Sequence, residues 1–457
     1  MTNQRNNAIE FSHQNRQKFL DKLIDYVKFP TVSADSSHKP DMREAAKWTT
    51  ERLQEIGMEN IRIYETGGHP LVYADHLHAG SDKPTVVIYG HYDVQPPDPL
   101  ELWKTGPFEP EIRDNKLYGR GASDMKGQII ASMAAVESIL SAGELPINIK
   151  WMIEGEEEIG SANLPNFIEN NKELYTCDFV LNPDGGILGE DIPAIPYALR
   201  GIVGFEIVLK GPAQDLHSGV FGGAILNPAN ELARLVAGMH DENGRITLPG
   251  FYDQVQELST EEREEMAKLP MDEAYFKKLS GAPEIVGGEK DYTPVERASA
   301  RPTLDVNGIF SGYTGEGMKT VLPTYATAKI TCRLVPNQEP KAILAGIEKY
   351  IKENVSPGVT WEMGSKDGAP ASITPIDSKE VGALFDALKL VWGKEPNFFR
   401  IGGSVPIVAE MERILGAVSV LTGFGLPDDN IHSPNEKLSL ETWYRGIDTL
   451  IHFLYNL

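Results

Sequence analysis

Cysteine is nearly missing from the chain: Cys177 and Cys332 are all that 457 residues contain. Two thiols are too few for a disulfide framework or a cysteine metal cluster. Long apolar runs are missing as well, since no stretch reaches the ~20 residues that a membrane-spanning helix needs. The first residues, MTNQRNNAIEFSHQNRQ, are polar and have no apolar core of a secretory signal. Positive charge is in deficit, with 43 Lys and Arg against 66 Asp and Glu and a formal charge of -23. So acidic a chain repels phosphate backbones and anionic lipid, which removes nucleic acid and membranes as expected partners. Together these deficits predict a cytoplasmic protein, and 41% hydrophobic residues suit two or three globular domains.

What is present is an alternation of short apolar strands and helices. Phe19, Leu20, Leu23, Ile24 and Val27 recur at helical spacing and stop before Pro30, and a second helix runs from about Asp41 to Gly57. PTVVIYG (84–90), INIKWMIEG (147–155) and CDFVLNPDGG (177–186) read as strands around a helix in MKGQIIASMAAVESILSAG (125–143). Such alternation predicts an α/β layered domain with a mixed sheet between helices. Beyond Arg200 the rhythm changes to β-α-β-β-α-β, the ferredoxin-like split motif, with a polar insertion at about 241–302. The α/β pattern resumes after GSKDGAPASITP. The expected organisation is a catalytic domain in two parts, residues 1–200 and 369–457, interrupted by an α+β domain over 201–368.

The stretch WMIEGEEEIGS (151–161) sets Glu154, Glu156, Glu157 and Glu158 directly behind a strand. Either this is a solvated acidic turn or a cation holds part of it. In open α/β sheets ligands collect at the carboxyl ends of strands, and other metal-binding residue types stand at such ends. His91 and Asp93 follow the strand at 84–90, Asp124 sits in the glycine-rich turn YGRGASDMKG, Asp184 ends the strand near 180, and His432 lies in the loop GLPDDNIHSPNEKLSL (425–440). Singly, each has an ordinary reading as a loop histidine, a helix cap or a turn aspartate. Collectively, imidazole and carboxylate at successive strand ends suit Zn²⁺ or a similar divalent ion. Two ions about 3.5–4 Å apart need a shared carboxylate. A further carboxylate must stay free to carry the proton, a division of labour that an adjacent Glu pair satisfies.

GHYDVQP, YGRGASDMKG, EEEIGSANL, DLHSGVFGG, TCRLVPNQ and NEKLSLE occur in order along nearly the whole chain. With these motifs the sequence resembles the zinc-dependent aminoacylase and carboxypeptidase-like metallopeptidases with two co-catalytic metals, within them the carnosinase or cytosolic dipeptidase branch. The resemblance implies that the insertion is a lid and dimerisation domain. It implies His91 and Asp184 on one ion, Glu158 and His432 on the other, Asp124 between them, and Glu157 as general base. Asp93 would orient His91, and the Asp124–Met125 peptide would be cis. His217 would reach the neighbouring subunit's site and polarise the scissile carbonyl, and Arg333 would hold the substrate carboxylate. The alternatives are an ordinary loop histidine and a strand arginine with its head in water. The RIGGSVPIV turn (400–408) offers Ser404 and Gly403 to the same carboxylate, or serves only as a turn. Two features depart from the family pattern: Ile159 within the glutamate motif, and Asp184 in the context NPDGGI.

The expected function is a homodimeric, dinuclear metal-dependent dipeptidase acting on small peptides with a free C-terminal carboxylate. Its cofactors would be two divalent ions per subunit, Zn²⁺ foremost, with Mn²⁺ and Co²⁺ accepted by the same ligands. The alternatives are an N-acyl amino acid deacylase, a glutamate-releasing carboxypeptidase, and a non-catalytic metal-binding interaction protein.

Overall fold

A computed structural model describes residues 2–365 and 368–457; Lys366 and Asp367, within the expected insertion, lie outside the described residues. The chain forms two compact units: Met1–Tyr197 with Thr374–Phe399 and Ile407–Leu457, and Ala198–Ile373 with Arg400–Pro406. The first unit opens with helices α1 (Thr2–Gln14), α2 (Arg16–Val27) and α3 (Lys39–Glu55) and strands β1 (Glu59–Tyr64), β2 (Leu71–His76) and β3 (Thr85–His91). Helix α4 (Gly127–Ala142) and strands β4 (Asn148–Glu154) and β5 (Phe179–Asn182) follow in its first part. The second unit contributes β6 (Gly201–Lys210), α5 (Pro228–Ala237), β7 (Thr303–Ser311), β8 (Tyr325–Leu334), α6 (Pro340–Asn354) and β9 (Thr360–Ser365). Helix α7 (Lys379–Trp392), strand β10 (Val418–Leu421) and helix α8 (Leu440–Asn456) belong to the first unit again.

The first unit's sheet has the order β1-β2-β4-β3-β5-β10. The four strands β4, β3, β5 and β10 run parallel, while β2 is antiparallel to both of its neighbours, β1 and β4. All residues of β4 are buried, and in β3 only Thr85 is partly exposed. Strands covered on both faces read as unbroken apolar runs, which is why these two stood out in the sequence. Helix α4 is buried from Gly127 to Ile139 and packs against α1 and α8. A helix apolar all round has no solvent face to show, and its place is the interior.

Helix α1 was not expected from the pattern. Among its described side chains only Ala8 and Ser12 are buried, one turn apart, too thin a stripe to register as amphipathic. Partners distant in sequence hold it: Arg5 Nη2 donates to Tyr455 O at 3.0 Å, and Ser12 Oγ donates to Asp448 Oδ1 at 3.2 Å.

In the second unit the sheet order is β7-β8-β6-β9, antiparallel throughout. Burial alternates residue by residue along β6 and β8, so one face points to a core and the other outward. Helices α5 and α6 cover the buried face, with Val203, Ile207, Leu209, Ile330 and Ile347 among the core residues. This is the ferredoxin-like arrangement. The insertion between α5 and β7 carries the short helices Thr260–Met266, Glu273–Ser280 and Pro294–Ser299.

Candidate metal centre

Parallel pairing sets the carboxyl ends of β3, β4 and β5 side by side, with His91 directly opposite Glu154. His91 is the last residue of β3, Glu157 and Glu158 follow β4, and Asp184 follows β5. Asp124 lies in the turn that opens α4. Two glycines permit that turn. Gly121 takes φ +84°, and a Cβ on Gly127 would lie 2.2 Å from Ala122 O. The Asp124–Met125 peptide is cis, as the family resemblance implied.

These residues form two donor sets, His91–Asp124–Asp184 and Asp124–Glu158–His432, each with ligand atoms within 4.8 Å of one another. Asp124 belongs to both. Its Oδ1 lies 3.2 Å from His91 Nε2, and its Oδ2 lies 3.0 Å from His432 Nε2. Asp184 Oδ2 stands 3.7 Å from His91 Nε2, and Glu158 Oε2 stands 3.3 Å from His432 Nε2. Among the described residues, the buried His91 Nε2 has no well-directed hydrogen bond although two carboxylates face it. A nitrogen lone pair aimed at the space between carboxylates is what a divalent cation requires.

Electrostatics point the same way. Burial opposes a charge on His91, but Asp124, Asp184 and Asp93 outweigh it and hold the imidazole well above its ordinary pKa. Asp124 and Glu158 push His432 up to about 10. Burial raises Glu158 despite its hydrogen bond from His432. Burial also raises Glu157 well above the usual carboxylate range, with Asp184, Glu158 and Asp124 adding to it and His91 opposing. The carboxylates of the cluster therefore favour positive charge at both imidazoles. Divalent ions supply that charge and leave both imidazoles neutral, as ligation requires. The residues fit such ions.

The remaining acidic residues have distinct surroundings. Asp93, fully buried, places Oδ1 3.4 Å from His91 Nδ1, while its main-chain O lies 3.1 Å from that nitrogen. The carboxylate also accepts the backbone N–H groups of Glu157 and Glu158 at 3.3 and 3.0 Å. Glu157 has no hydrogen bond or ion pair from its carboxylate among the described residues, and in this it differs from its neighbours. Glu154 and Glu156 are not a solvated turn: they are 3% and 5% exposed. Glu154 accepts from Tyr89 and Ser161, both at 2.8 Å, and Asn163 Nδ2 holds both oxygens of Glu156.

Sequence reasoning missed Gln95. Its Nε2 donates to Glu158 Oε2 at 2.9 Å and to Glu158 O at 3.2 Å. The signal was a carboxamide inside GHYDVQP, two residues beyond Asp93.

In the second unit, His217 caps the short helix Ser218–Phe221 and is exposed. Its Nδ1 accepts from Gly219 N–H at 3.0 Å, so the neutral ring carries its proton on Nε2. Arg333 on β8 donates from Nη1 to Ser404 Oγ at 2.7 Å, and Ser404 in turn donates to Gly201 O at 3.1 Å. Gly403 O accepts the Arg200 N–H at 3.0 Å. Arg200, also missed from the sequence, anchors the same loop by donating from Nε to Gly402 O at 2.7 Å.

An open α/β sheet with two donor sets sharing a carboxylate at its strand ends, and a free carboxylate beside them, is the framework of a metal-dependent hydrolase. Comparison with known proteins narrows the class. The model of peptidase family M20/M25/M40 matches residues 87–456, and the chain belongs to that family. A Cys-Gly metallodipeptidase of Candida albicans is 32% identical over 461 residues, covering 96% of this chain and 94% of the relative. The human Beta-Ala-His dipeptidase is 33% identical over 387 residues, 82% of this chain and 75% of its own length. Among solved structures, an M20 family metallo-carboxypeptidase from Sulfolobus solfataricus superposes with a TM-score of 0.86 at 35% identity, covering 95% of this chain and 98% of that one.

Proposed function

We propose that the protein is a dinuclear metallodipeptidase that hydrolyses the amide bond of small peptides with a free C-terminal carboxylate. The observation that carries this reading is the shared Asp124 between two donor sets, with the unpaired Glu157 beside them. His91 and Asp184 are assigned to one ion, Glu158 and His432 to the other, and Asp124 to both, with Zn²⁺ the proposed metal. When bound, such ions polarise a carbonyl and make water acidic enough to act as a nucleophile near neutral pH.

Asp93 holds His91 through Nδ1, which leaves Nε2 as the donor, and pins the Glu157–Glu158 backbone in the same contact. Glu157 takes the proton from water as its oxygen attacks the carbonyl carbon. It returns that proton to the amide nitrogen as the C–N bond breaks. His217 Nε2–H of the neighbouring subunit is assigned to the developing oxyanion, and the Arg333 guanidinium with Ser404 to the substrate carboxylate. Gly403 is kept in that loop as a backbone contributor.

One feature supports a homodimer formed through the second unit. Among the described residues, strand β7 lies at the edge of its sheet and displays Ile309 and Phe310, each more than half exposed. Cys177 and Cys332 are free thiols, which suits the proposed cytoplasmic location. No helix among the described residues is long and apolar enough to cross a membrane.

A panel of dipeptides, longer peptides and N-acetyl amino acids, assayed with metal analysis of the purified protein, tests the reading. Dipeptide hydrolysis that chelation abolishes and metal restores is the expected result. Cleavage of N-acetyl amino acids alone would overturn it. A second reading, a carboxypeptidase, is favoured by the Sulfolobus match and predicts efficient release of the last residue from longer peptides.

A further inference from the structure

The loop that delivers His432 also carries Glu436, whose carboxylate is completely buried. Four donors converge on it. Arg120 Nη1 and Gly121 N–H reach Oε2 at 2.7 and 2.9 Å, while Ser123 N–H and Asp124 N–H reach Oε1 at 3.0 and 3.1 Å. The main chain continues the contact: Glu436 O accepts Gly119 N–H at 3.0 Å, and Lys437–Ser439 pairs antiparallel with Lys116–Tyr118. Arg120 is itself 1% exposed and supplies the balancing positive charge. Nearby, Asp429 ties the same loop to the turn by accepting from Ser123 Oγ at 2.9 Å.

We propose that Glu436 is a positioning residue of the metal centre, fixing the glycine-rich turn of Asp124 to the loop of His432 so that both reach one ion. The proposal rests on the reading of Asp124 and His432 as ligands. A turn built on glycine has little conformational preference of its own, and its backbone N–H groups are buried away from water. One buried carboxylate satisfies three of them at once, with charge-assisted bonds. No neutral side chain substitutes for it. Each Glu436 oxygen takes two donors, so a carboxamide in either orientation turns its NH₂ toward two N–H groups. Acceptor capacity on both oxygens is therefore required, because the Asp124 carboxylate must sit between two imidazoles whose positions other elements set.

The test is the Zn²⁺ affinity of Glu436→Gln, measured by chelator competition on the folded protein, with Asp124→Asn in parallel. Glu436→Gln is expected to bind Zn²⁺ roughly 10–100-fold more weakly, the usual effect of losing a group that orients a ligand. A residue that serves folding alone would lower the melting temperature and leave the affinity of the folded protein unchanged. That result, with Asp124→Asn weakened, overturns the proposal. If Asp124→Asn also binds like wild type, the ligand reading itself falls and takes the proposal with it. Hydrogen exchange on the wild-type, metal-free protein decides the matter even if Glu436→Gln does not fold. The amides of Gly121, Ser123 and Asp124 should be protected before metal is added, and exchange at the rate of exposed amides refutes the assignment.

Discussion

Asp93 accepts the backbone N–H of Glu158 at 3.0 Å while its other oxygen faces His91 Nδ1 at 3.4 Å. One buried carboxylate thus serves two strand ends, orienting the histidine that closes β3 and the turn that follows β4. Asp93→Asn keeps the volume but presents an NH₂ to donors on one side. Metal affinity and kcat should each fall by roughly 10–100-fold, with a smaller change in KM. Wild-type values for both would show that the His91 main-chain contact with Asp93 O is sufficient.

Among the described residues, Glu157 differs from Glu158 in having no hydrogen bond or ion pair from its carboxylate, and the consequence is measurable. Glu157→Gln should bind metal like wild type and lose about 10²–10⁴ in kcat, the range general acid–base groups contribute. Metal content and steady-state kinetics on one preparation check both halves. Surviving turnover would transfer the proton to another group.

Arg333 is expected to act on substrate binding more than on chemistry. Arg333→Lys keeps the charge but loses the planar fork. A hydrogen bond to a charged group is worth about 1.5–3 kcal/mol, so KM for a dipeptide should rise roughly tenfold or more with kcat nearly unchanged. A C-terminally amidated dipeptide should distinguish poorly between the two enzymes. Equal KM values on the free acid would contradict the assignment.

Acid should weaken the second unit through Glu231. Arg234 donates to this carboxylate at 2.6 and 3.0 Å, and Ser356 N–H does so at 2.8 Å. Arg234 is the main cause that holds the Glu231 pKa down at about 2, against 4.5 in the unfolded chain. A depressed folded-state pKa contributes stability above pH 4.5 that is lost as pH falls from there toward about 2. Because Arg234 is half exposed, the contribution is discounted to about 1–2 kcal/mol. Glu231→Gln should therefore melt lower than wild type at neutral pH, and the gap should narrow near pH 3. A constant gap would assign its role to packing.

How far these features could be read from the chain differs from element to element. Strands β3 and β4 were visible because parallel strands covered on both faces are apolar without interruption. The ferredoxin-like order was visible because β6 and β8 alternate with a period of two. Helix α1 was not, since a helix held by Ala8, Ser12 and two contacts to α8 carries almost no pattern of its own. In the glutamate stretch, four equal charges could not be ranked from their order. Glu156 is set apart by Asn163, Glu154 by Tyr89, and Glu158 by Gln95 and His432, contacts that no spacing rule anticipates.

By itself the sequence settled the chemical types available at each strand end, because strand, turn and helix signals are local and residue identity needs no partner. The fold alone decided which of those groups meet. His432 and Asp124 are 308 residues apart and come within 3.0 Å, and Glu436 spans 312 residues to accept the Asp124 backbone N–H at 3.1 Å. Hydrogen bonds, burial and charge act through space over a few ångströms. Which carboxylates are held by partners and which is not is therefore a property of the folded chain.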